Sequence, residues 1–292
     1  QAYVLDTTAP TILSISSSSS DATYKVGSAV TITATASESV QSGSTFTVTL
    51  ETGSTDRTVT LTASADGTTL TGTYTVQSGD ISSDLTANAI SAGSISDIAG
   101  NALTSTSLPA GANNIAGAKE IVIDGVVPTI TLIGATIATS SNAVVQSSEN
   151  GTVYLVNTSV TVTTVASITG ALDALWNSVS ISSANTNTNL AATGLDAGTY
   201  KAYSVDAAGN ISAVSSGEIT VLPAVPGTPG TPTTVAGDTQ VSITVVAPNT
   251  GGTPTSYTVQ AYDSSGVTAL SGVTCTVSGA SGSCVITGLT NG

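Results

Sequence analysis

The chain of 292 residues has no histidine, no methionine and only four basic residues. Without histidine it cannot form a Ser-His-Asp triad, a Cys-His dyad or a histidine-bearing zinc site. Four Lys and Arg against 18 Asp and Glu give no basic stripe for nucleic acid or for an anionic membrane surface. No apolar run approaches the roughly 20 residues that a membrane helix requires. We therefore expect a protein without enzymatic activity, nucleic-acid binding or membrane insertion.

Aromatic residues are also scarce, at 3% of the chain, with one Trp and one Phe. The apolar residues are mainly Val, Ile, Leu and Ala, mixed with abundant Thr, Ser and Gly. β-branched residues fit a pleated, half-buried surface better than a helix, so this composition predicts an all-β protein. Trp176 stands alone, which favours a role in core or loop packing over its alternative, a platform for a ligand.

Segments of alternating apolar and polar residues recur along the chain, as expected of sheets with one solvated face. Their short spacing, without amphipathic helices between them, predicts tandem immunoglobulin-like or fibronectin type III β-sandwiches in an elongated array. One segment, residues 168–178, is the exception and predicts one or two helical turns within a loop. The clearest predicted strands are Ala29–Ser37, Thr45–Leu50, Thr58–Ser64, Thr69–Val76 and Lys119–Ile123.

Two motifs occur twice and set the domain boundaries. D-x-x-x-P-T-I spans Asp6–Ile12 and Asp124–Ile130, and D-x-A-G-N spans Asp97–Asn101 and Asp206–Asn210. Each pair predicts one repeated unit that opens with a linker aspartate and a proline. The predicted organisation is a first domain at 6–123, a second at 124–222, a Pro/Gly-rich linker at 223–236 and a third domain at 237–292, with residues 1–5 as the closing strand of a preceding domain or as a donor strand.

The first two domains resemble the tandem bacterial immunoglobulin-like repeats of large secreted surface proteins and adhesins. The resemblance covers most of residues 6–222 and depends on D-x-x-x-P-T, on the Ser-Glu after the second strand, and on D-x-A-G-N. The third domain resembles part of a fibronectin type III module, through Gly237–Gly266 and "CVITGLTNG" at its end. Val245 replaces the tryptophan usual in the second strand, and the sequence given ends where the last two strands of that fold would begin.

The two cysteines, Cys275 and Cys284, flank a Gly-Ala-Ser-Gly turn between alternating segments. Pairing about that turn places them opposite each other and predicts a disulfide, with two free thiols as the alternative. A disulfide implies an oxidising, extracytoplasmic compartment.

The repeated acids are predicted to meet at one end of each of the first two sandwiches. In an antiparallel sandwich the second strand returns to the end where the chain enters, and the last hairpin turns at that same end. A linker aspartate, a glutamate after the second strand and the hairpin aspartate therefore converge. The predicted groups are Asp6, Glu38, Asp97 and Asn101 in the first domain, and Asp124, Glu149, Asp206 and Asn210 in the second.

Convergent carboxylates with few bases nearby favour a hard cation, and Ca²⁺ takes six to eight oxygen ligands. The family resemblance also implies structural Ca²⁺ at domain junctions. The alternative is that these residues only form turns and cap backbone amides, which D-x-A-G-N does well. Each asparagine could lend a side-chain oxygen or occupy the left-handed position after glycine. Asp80 and Asp84 imitate a glycosidase pair, but turn residues are the favoured interpretation.

These observations predict a non-enzymatic spacer of a bacterial cell-surface protein or adhesin, secreted and extracellular, whose junctions Ca²⁺ makes rigid. Its partners would be neighbouring domains of the same chain, identical subunits or a host-surface ligand. One alternative is a subunit of an extracellular filament or surface layer, assembled by donation of the N-terminal strand. Another is an accessory region of a secreted carbohydrate-active enzyme.

Overall fold

A computed structural model describes residues 5–91 and 93–291, and β-strands dominate this part of the chain. It contains 22 strands in six sheets, two short α-helices and two turns of 3₁₀ helix. The all-β prediction is therefore confirmed. Within the described ranges no helix is long and apolar enough to cross a membrane.

The first unit buries its apolar residues between strands that alternate as predicted. Along the third strand, Val30, Ile32 and Ala34 point into the core, and the intervening threonines are more exposed. The predicted strand Thr45–Leu50 has the observed bounds. The elements are β1 (Ile12–Ser17), β2 (Ala22–Lys25), β3 (Ala29–Val40), β4 (Thr45–Leu50), β5 (Arg57–Thr62), β6 (Gly67–Thr75), β7 (Ile81–Ser82), β8 (Ala87–Ser91), α1 (Ile115–Ala118) and β9 (Ile121–Asp124), with a 3₁₀ turn at Gly111–Asn113.

Two sheets form this unit, one in the order β1-β3-β6-β5-β4-β8 and one in the order β2-β9-β7. β9 closes the unit by pairing in parallel with β2 and antiparallel with β7. Its last residue is Asp124, so the aspartate predicted to open the second domain lies on the closing strand of the first.

The second unit has its own core, around Tyr200, Leu155 and Val145. The helical turns predicted in residues 168–178 are present only in part, because α2 begins earlier and Trp176 already starts a strand. The elements are β10 (Ile130–Leu132), β11 (Ala135–Ile137), β12 (Asn142–Ser147), β13 (Gly151–Asn157), α2 (Val165–Thr169), a 3₁₀ turn at Asp173–Leu175, β14 (Trp176–Ile181), β15 (Thr188–Ala191), β16 (Gly198–Asp206) and β17 (Ile219–Val221).

Both units share one arrangement at their start. The first strand pairs antiparallel in one sheet (β1 with β3, β10 with β12), and its continuation pairs in parallel with the closing strand in the other sheet (β2 with β9, β11 with β17). The first segment of each unit therefore contributes one strand to each of the two sheets. Trp176 lies on the edge strand β14, where its ring packs 5.9 Å from that of Tyr154.

The third region has a small core, with four buried apolar residues among the described ones. One sheet has the order β18-β19-β22 and the other contains β20 and β21. The first of these strands starts at Thr233, inside the segment predicted as a linker. The strands are β18 (Thr233–Gly237), β19 (Gln240–Val245), β20 (Ser256–Tyr262), β21 (Ala269–Ser278) and β22 (Gly282–Thr287).

Cys275 and Cys284 form the predicted disulfide, with their Cα atoms 5.8 Å apart. Their predicted placement, opposite each other in one hairpin, is wrong. Cys275 on β21 pairs with Val259, and Cys284 on β22 pairs with Ile243, so the bond joins the two sheets. Gly279 and Gly282, both at positive φ, let the chain leave one sheet and enter the other between them.

Replacing both cysteines with serine is expected to destabilise the third region by about 3 kcal/mol, the chain-entropy estimate for so short a loop. The effect should be severe because so few buried side chains hold the two sheets together. Denaturant unfolding of the full chain measures it by tryptophan fluorescence, in a Trp176→Phe/Tyr257→Trp background that places the one tryptophan in the third region. A loss below about 1 kcal/mol would mean that the small core suffices without the cross-link.

Candidate metal centres

The structure brings the predicted acids together in two separate triads. The first triad is Asp6, Glu38 and Asp97, and the second is Asp124, Glu149 and Asp206. In each triad one carboxylate oxygen per residue lies within 4.8 Å of the other two. The aspartate of the hairpin is the buried member of each, since Asp97 is 1% and Asp206 7% exposed. The predicted convergence is thus present in both units.

Three structural elements position each triad. Glu38 lies near the end of β3, where the pairing with β6 shifts register between Thr35 and Val40. Glu149 lies in the turn between β12 and β13, and its backbone N–H donates to Ser147 Oγ at 3.2 Å. Gly151, just beyond it, has φ +148° and pairs with Asp206, and a Cβ there would lie 2.1 Å from the Val205 carbonyl oxygen. Only glycine lets these two strands approach so closely beside the triad.

The D-x-A-G-N hairpin folds in the same way in both units. In the second, the Asn210 backbone N–H donates to Asp206 Oδ1 at 2.8 Å, and Asn210 Nδ2 donates to Asp206 Oδ2 at 2.8 Å. In the first, Asn101 makes the same two bonds to Asp97, at 2.8 and 2.7 Å. Each asparagine therefore holds both oxygens of its aspartate and fixes the orientation of the carboxylate.

The left-handed position in each hairpin is occupied by glycine, not by asparagine. Gly100 has φ +97° and Gly209 φ +87°, whereas among the described non-glycine residues only Asn185 and Thr239 have positive φ. One of the two roles predicted for the asparagines is therefore wrong. The other, donation of a side-chain oxygen to a metal, stays a prediction, and Asn210 Oδ1 already accepts the backbone N–H of Val26 at 3.0 Å.

The linker aspartates each have one oxygen engaged in a local turn. Asp6 Oδ1 accepts from Thr8 N at 3.0 Å, and Asp124 Oδ1 accepts from Val126 N at 3.2 Å. Their backbone carbonyls accept from the asparagines, Asp6 from Asn101 at 3.2 Å and Asp124 from Asn210 at 2.9 Å. Turn capping and convergence of the acids thus occur together at these residues.

Electrostatics within the triads oppose full ionisation of the glutamates. Desolvation raises the pKa of Glu38, and the nearby charges of Asp6 and Asp97 raise it further. Desolvation, Asp206 and Asp124 raise the pKa of Glu149 in the same way. The pKa of Asp97 is lowered, because its hydrogen bonds from Asn101 and the hairpin backbone outweigh desolvation, the largest single contribution. Glu38 therefore holds its negative charge less readily than Asp97 does.

Basic residues do not neutralise these triads. Across the described ranges, the ion pairs are Arg57 with Asp80, Lys119 with Asp21 and Lys201 with Glu218. The fourth base, Lys25, donates from Nζ to the Gly209 carbonyl oxygen at 2.8 Å. Two carboxylate charges 4.8 Å apart repel by about 1 kcal/mol in water and about 3.5 kcal/mol at an effective dielectric constant of 20.

The geometry of the triads fits Ca²⁺. Ca²⁺–oxygen distances of about 2.3–2.6 Å mean that two ligands on opposite sides of one ion lie roughly 4.6–5.2 Å apart. The 4.8 Å limit within each triad allows one oxygen of each carboxylate to contact a common ion. Carboxylate oxygens are the ligands that this hard cation prefers.

Sequence reasoning missed one buried ionic network. Asp80, interpreted as a turn residue or an acid of a glycosidase pair, is 1% exposed and has both oxygens engaged. Its Oδ1 accepts from Arg57 Nε and its Oδ2 from Tyr74 Oη, at 2.8 and 2.6 Å. Asp84 has a buried Oδ1 without a hydrogen-bond partner. Asp80 thus has a structural role. The sequence offered one indication of it: Arg57 is the only arginine in the chain, and a single arginine is expected to pair with an acidic residue.

The Asp80 network also supports the second triad. The Asp80 carbonyl oxygen accepts from Gly125 N at 2.7 Å, and Ile81 pairs with Asp124 in β7 and β9. Asp124 is therefore held by the first unit, whereas Glu149 and Asp206 belong to the second. The second triad spans the junction between them.

Comparison of the sequence with known protein families and with curated proteins finds no match to this chain.

Proposed function

We propose that the chain is a non-enzymatic, extracellular spacer of a bacterial cell-surface protein or adhesin, whose junctions become rigid when Ca²⁺ binds the two triads. The observation that carries the proposal is the repetition of one arrangement. Both triads combine a linker aspartate, a glutamate near the end of β3 or just beyond β12, and a hairpin aspartate held by asparagine. Acidic residues that only increase solubility would not be expected to form the same set of contacts in two units.

The position of the second triad supports a mechanical role. Asp124 ends the closing strand of the first unit, and the other two acids belong to the second unit. An ion shared by the three carboxylates would tie the units together at a fixed angle. At a calcium concentration 100 times the dissociation constant, binding stabilises the folded state by about 2.7 kcal/mol per site.

The disulfide supports an oxidising, extracytoplasmic location. The resemblance to immunoglobulin-like repeats of secreted surface proteins supports the same location and the proposed role as a spacer. The accessory region of a secreted enzyme remains an alternative to this role, and no contact in the described residues favours it.

Small-angle X-ray scattering of the full chain, with calcium and then with a chelator, tests the proposal. We expect chelation to lower the melting temperature and to shift the scattering profile towards that of a flexible chain. The double variant Glu38→Gln/Glu149→Gln serves as the matched control and should respond only at calcium concentrations at least about tenfold higher. Unchanged melting and unchanged scattering in the wild type would refute the calcium joints.

A filament subunit is the second candidate, favoured by one observation in the third region. Among the described residues, β20 pairs on one side only, and an apolar groove of about 570 Å³ runs beside it, lined by Val245, Tyr257 and Val259 among others. A strand from a second copy would complete this sheet. The predicted donor, residues 1–5, lies outside the described residues except for Leu5. Electron micrographs showing only monomers at high concentration would exclude this candidate.

A further inference from the structure

The carboxamide of Asn210 contacts the second triad on one side and the first unit on the other. Its Nδ2 donates to Asp206 Oδ2 at 2.8 Å and to the Asp124 carbonyl oxygen at 2.9 Å. Its Oδ1 accepts the backbone N–H of Val26 at 3.0 Å. Asn210 is 3% exposed, so its three partners fix the carboxamide in a single orientation.

Lys25, next to Val26, adds a second bond across the same junction. Its ammonium donates to the carbonyl oxygen of Gly209 at 2.8 Å. Lys25 also ends β2, where it pairs with Asp124 on β9. The end of β2 and the residue after it in the first unit therefore contact the D-x-A-G-N hairpin of the second unit at two consecutive residues, Lys25 and Val26.

We propose that Asn210 couples occupancy of the second triad to the docking of the first unit on the second. An ion that fixes the Asp206 carboxylate also fixes the Asn210 carboxamide, because both Asp206 oxygens are bonded to Asn210. A fixed carboxamide presents Oδ1 to Val26 N in one direction. Without the ion, mutual repulsion of the three carboxylates opposes this arrangement, and any displacement of Asp206 is transmitted to Asn210 through the same two bonds. The coupling rests on the proposed calcium binding, whereas the contact with Val26 does not.

Asn101 provides a matched control within the same chain. It makes the corresponding bonds to Asp97 and to the Asp6 carbonyl oxygen. Among residues 5–91 and 93–291, no backbone amide of another unit donates to its Oδ1. Asn101→Ala and Asn210→Ala therefore remove the same support from an aspartate, but only the second removes a contact between units.

The experiment measures distances between spin labels in the full chain, attached at Thr60→Cys in the first unit and Ser180→Cys in the second. Calorimetric titration with calcium accompanies it. We expect each asparagine variant to weaken calcium binding at its own site by about 10–100-fold, as for other residues that support metal ligands. Calcium should narrow the distance distribution of the wild type and of Asn101→Ala. It should fail to narrow that of Asn210→Ala, even when both sites are saturated.

Narrowing in saturated Asn210→Ala equal to that of the wild type would overturn the proposal. Lys25→Met is a second probe that leaves every carboxylate in place, and it should broaden the calcium-bound distribution without reducing the number of ions bound. An unchanged distribution in Lys25→Met would also count against the proposal. If the wild type binds no calcium, the proposed function and the coupling both fail. A broader distribution in Asn210→Ala than in the wild type, both without calcium, would then still show the Val26 contact by itself.

Discussion

Glu149→Gln is expected to have opposite effects on stability with and without calcium. In a chelator the variant should melt at a higher temperature than the wild type, because it removes one charge from a triad without an ion-paired base in the described residues. At saturating calcium it should melt at a lower temperature, because it loses a carboxylate ligand. Calcium affinity at this site should fall at least about tenfold, the lower end of the loss seen for residues that merely support metal ligands.

A change in melting temperature that has opposite signs with and without calcium distinguishes an ion site from a set of turn residues. Glu149 donates its backbone N–H to Ser147, and its carboxylate has no hydrogen bond in the described structure, so a glutamine causes little other change. Glu120→Gln is the control, since Glu120 is exposed and its substitution changes the net charge equally. Thermal melts of the three proteins in chelator and in calcium measure the effect. The same ranking in both conditions would contradict the account.

Lowering the pH should stabilise the metal-free protein in the same way as Glu149→Gln, because both remove the negative charge of this side chain. Desolvation first, and then the charges of Asp206 and Asp124, raise the pKa of Glu149 above its ordinary 4.5. The folded state therefore binds this proton more tightly than the unfolded chain, and the triad destabilises the protein as pH rises from about 4.5 through the folded-state pKa. In chelator, Glu149→Gln should remove this part of the pH dependence.

Asp80→Ala is expected to cost the first unit about 3–5 kcal/mol, the range for breaking a buried ion pair by removing one partner. The substitution leaves Arg57, the Tyr74 hydroxyl and the Gln77 backbone N–H without their shared acceptor. Burial, followed by the hydrogen bond to Asp80, raises the pKa of Tyr74, so its hydroxyl remains a donor at neutral pH. The loss should reach the second triad as well, because the Asp80 turn holds Gly125 beside Asp124.

The measurement for Asp80→Ala is the free energy of unfolding from denaturant titration. Asp21→Ala is the comparison, since Asp21 forms an exposed ion pair with Lys119 at 3.9 Å and should cost less than about 1 kcal/mol. Equal losses of unfolding free energy in the two variants would mean that the buried Asp80 network stabilises the protein no more than an exposed ion pair does. Tyr74→Phe, which removes one hydrogen bond to the carboxylate, should cost about 1.5–3 kcal/mol.

The two acid triads were predictable because the motifs repeat and antiparallel strands leave few options. The sequence predicts that Glu38 and Glu149 follow the second strand of a sandwich and that Asp97 and Asp206 begin its last hairpin. In an antiparallel sandwich both positions lie at the end where the chain enters. The roles of the asparagines were harder to predict, because a carboxamide has two hydrogen-bonding ends. Its direction depends on the neighbouring backbone, which the sequence pattern does not specify.

Contacts that join separate parts of the chain escaped the sequence pattern. The bond between Asn210 and Val26 spans 184 positions and depends on how two units dock. The disulfide was predicted, but its path between sheets depends on backbone angles at Gly279 and Gly282. Asp80 was interpreted as a turn residue, since nothing local shows that Arg57 and Tyr74 enclose it.

The most direct test of the calcium joints is a calorimetric titration of the metal-free full chain with calcium. We expect the wild-type chain to bind two calcium ions, one at each triad. The dissociation constants should be about 10⁻⁴–10⁻³ M, as in extracellular modules. Glu38→Gln and Glu149→Gln should each weaken one of the two sites. No heat of binding up to about 10 mM calcium, well above that range, would contradict the account.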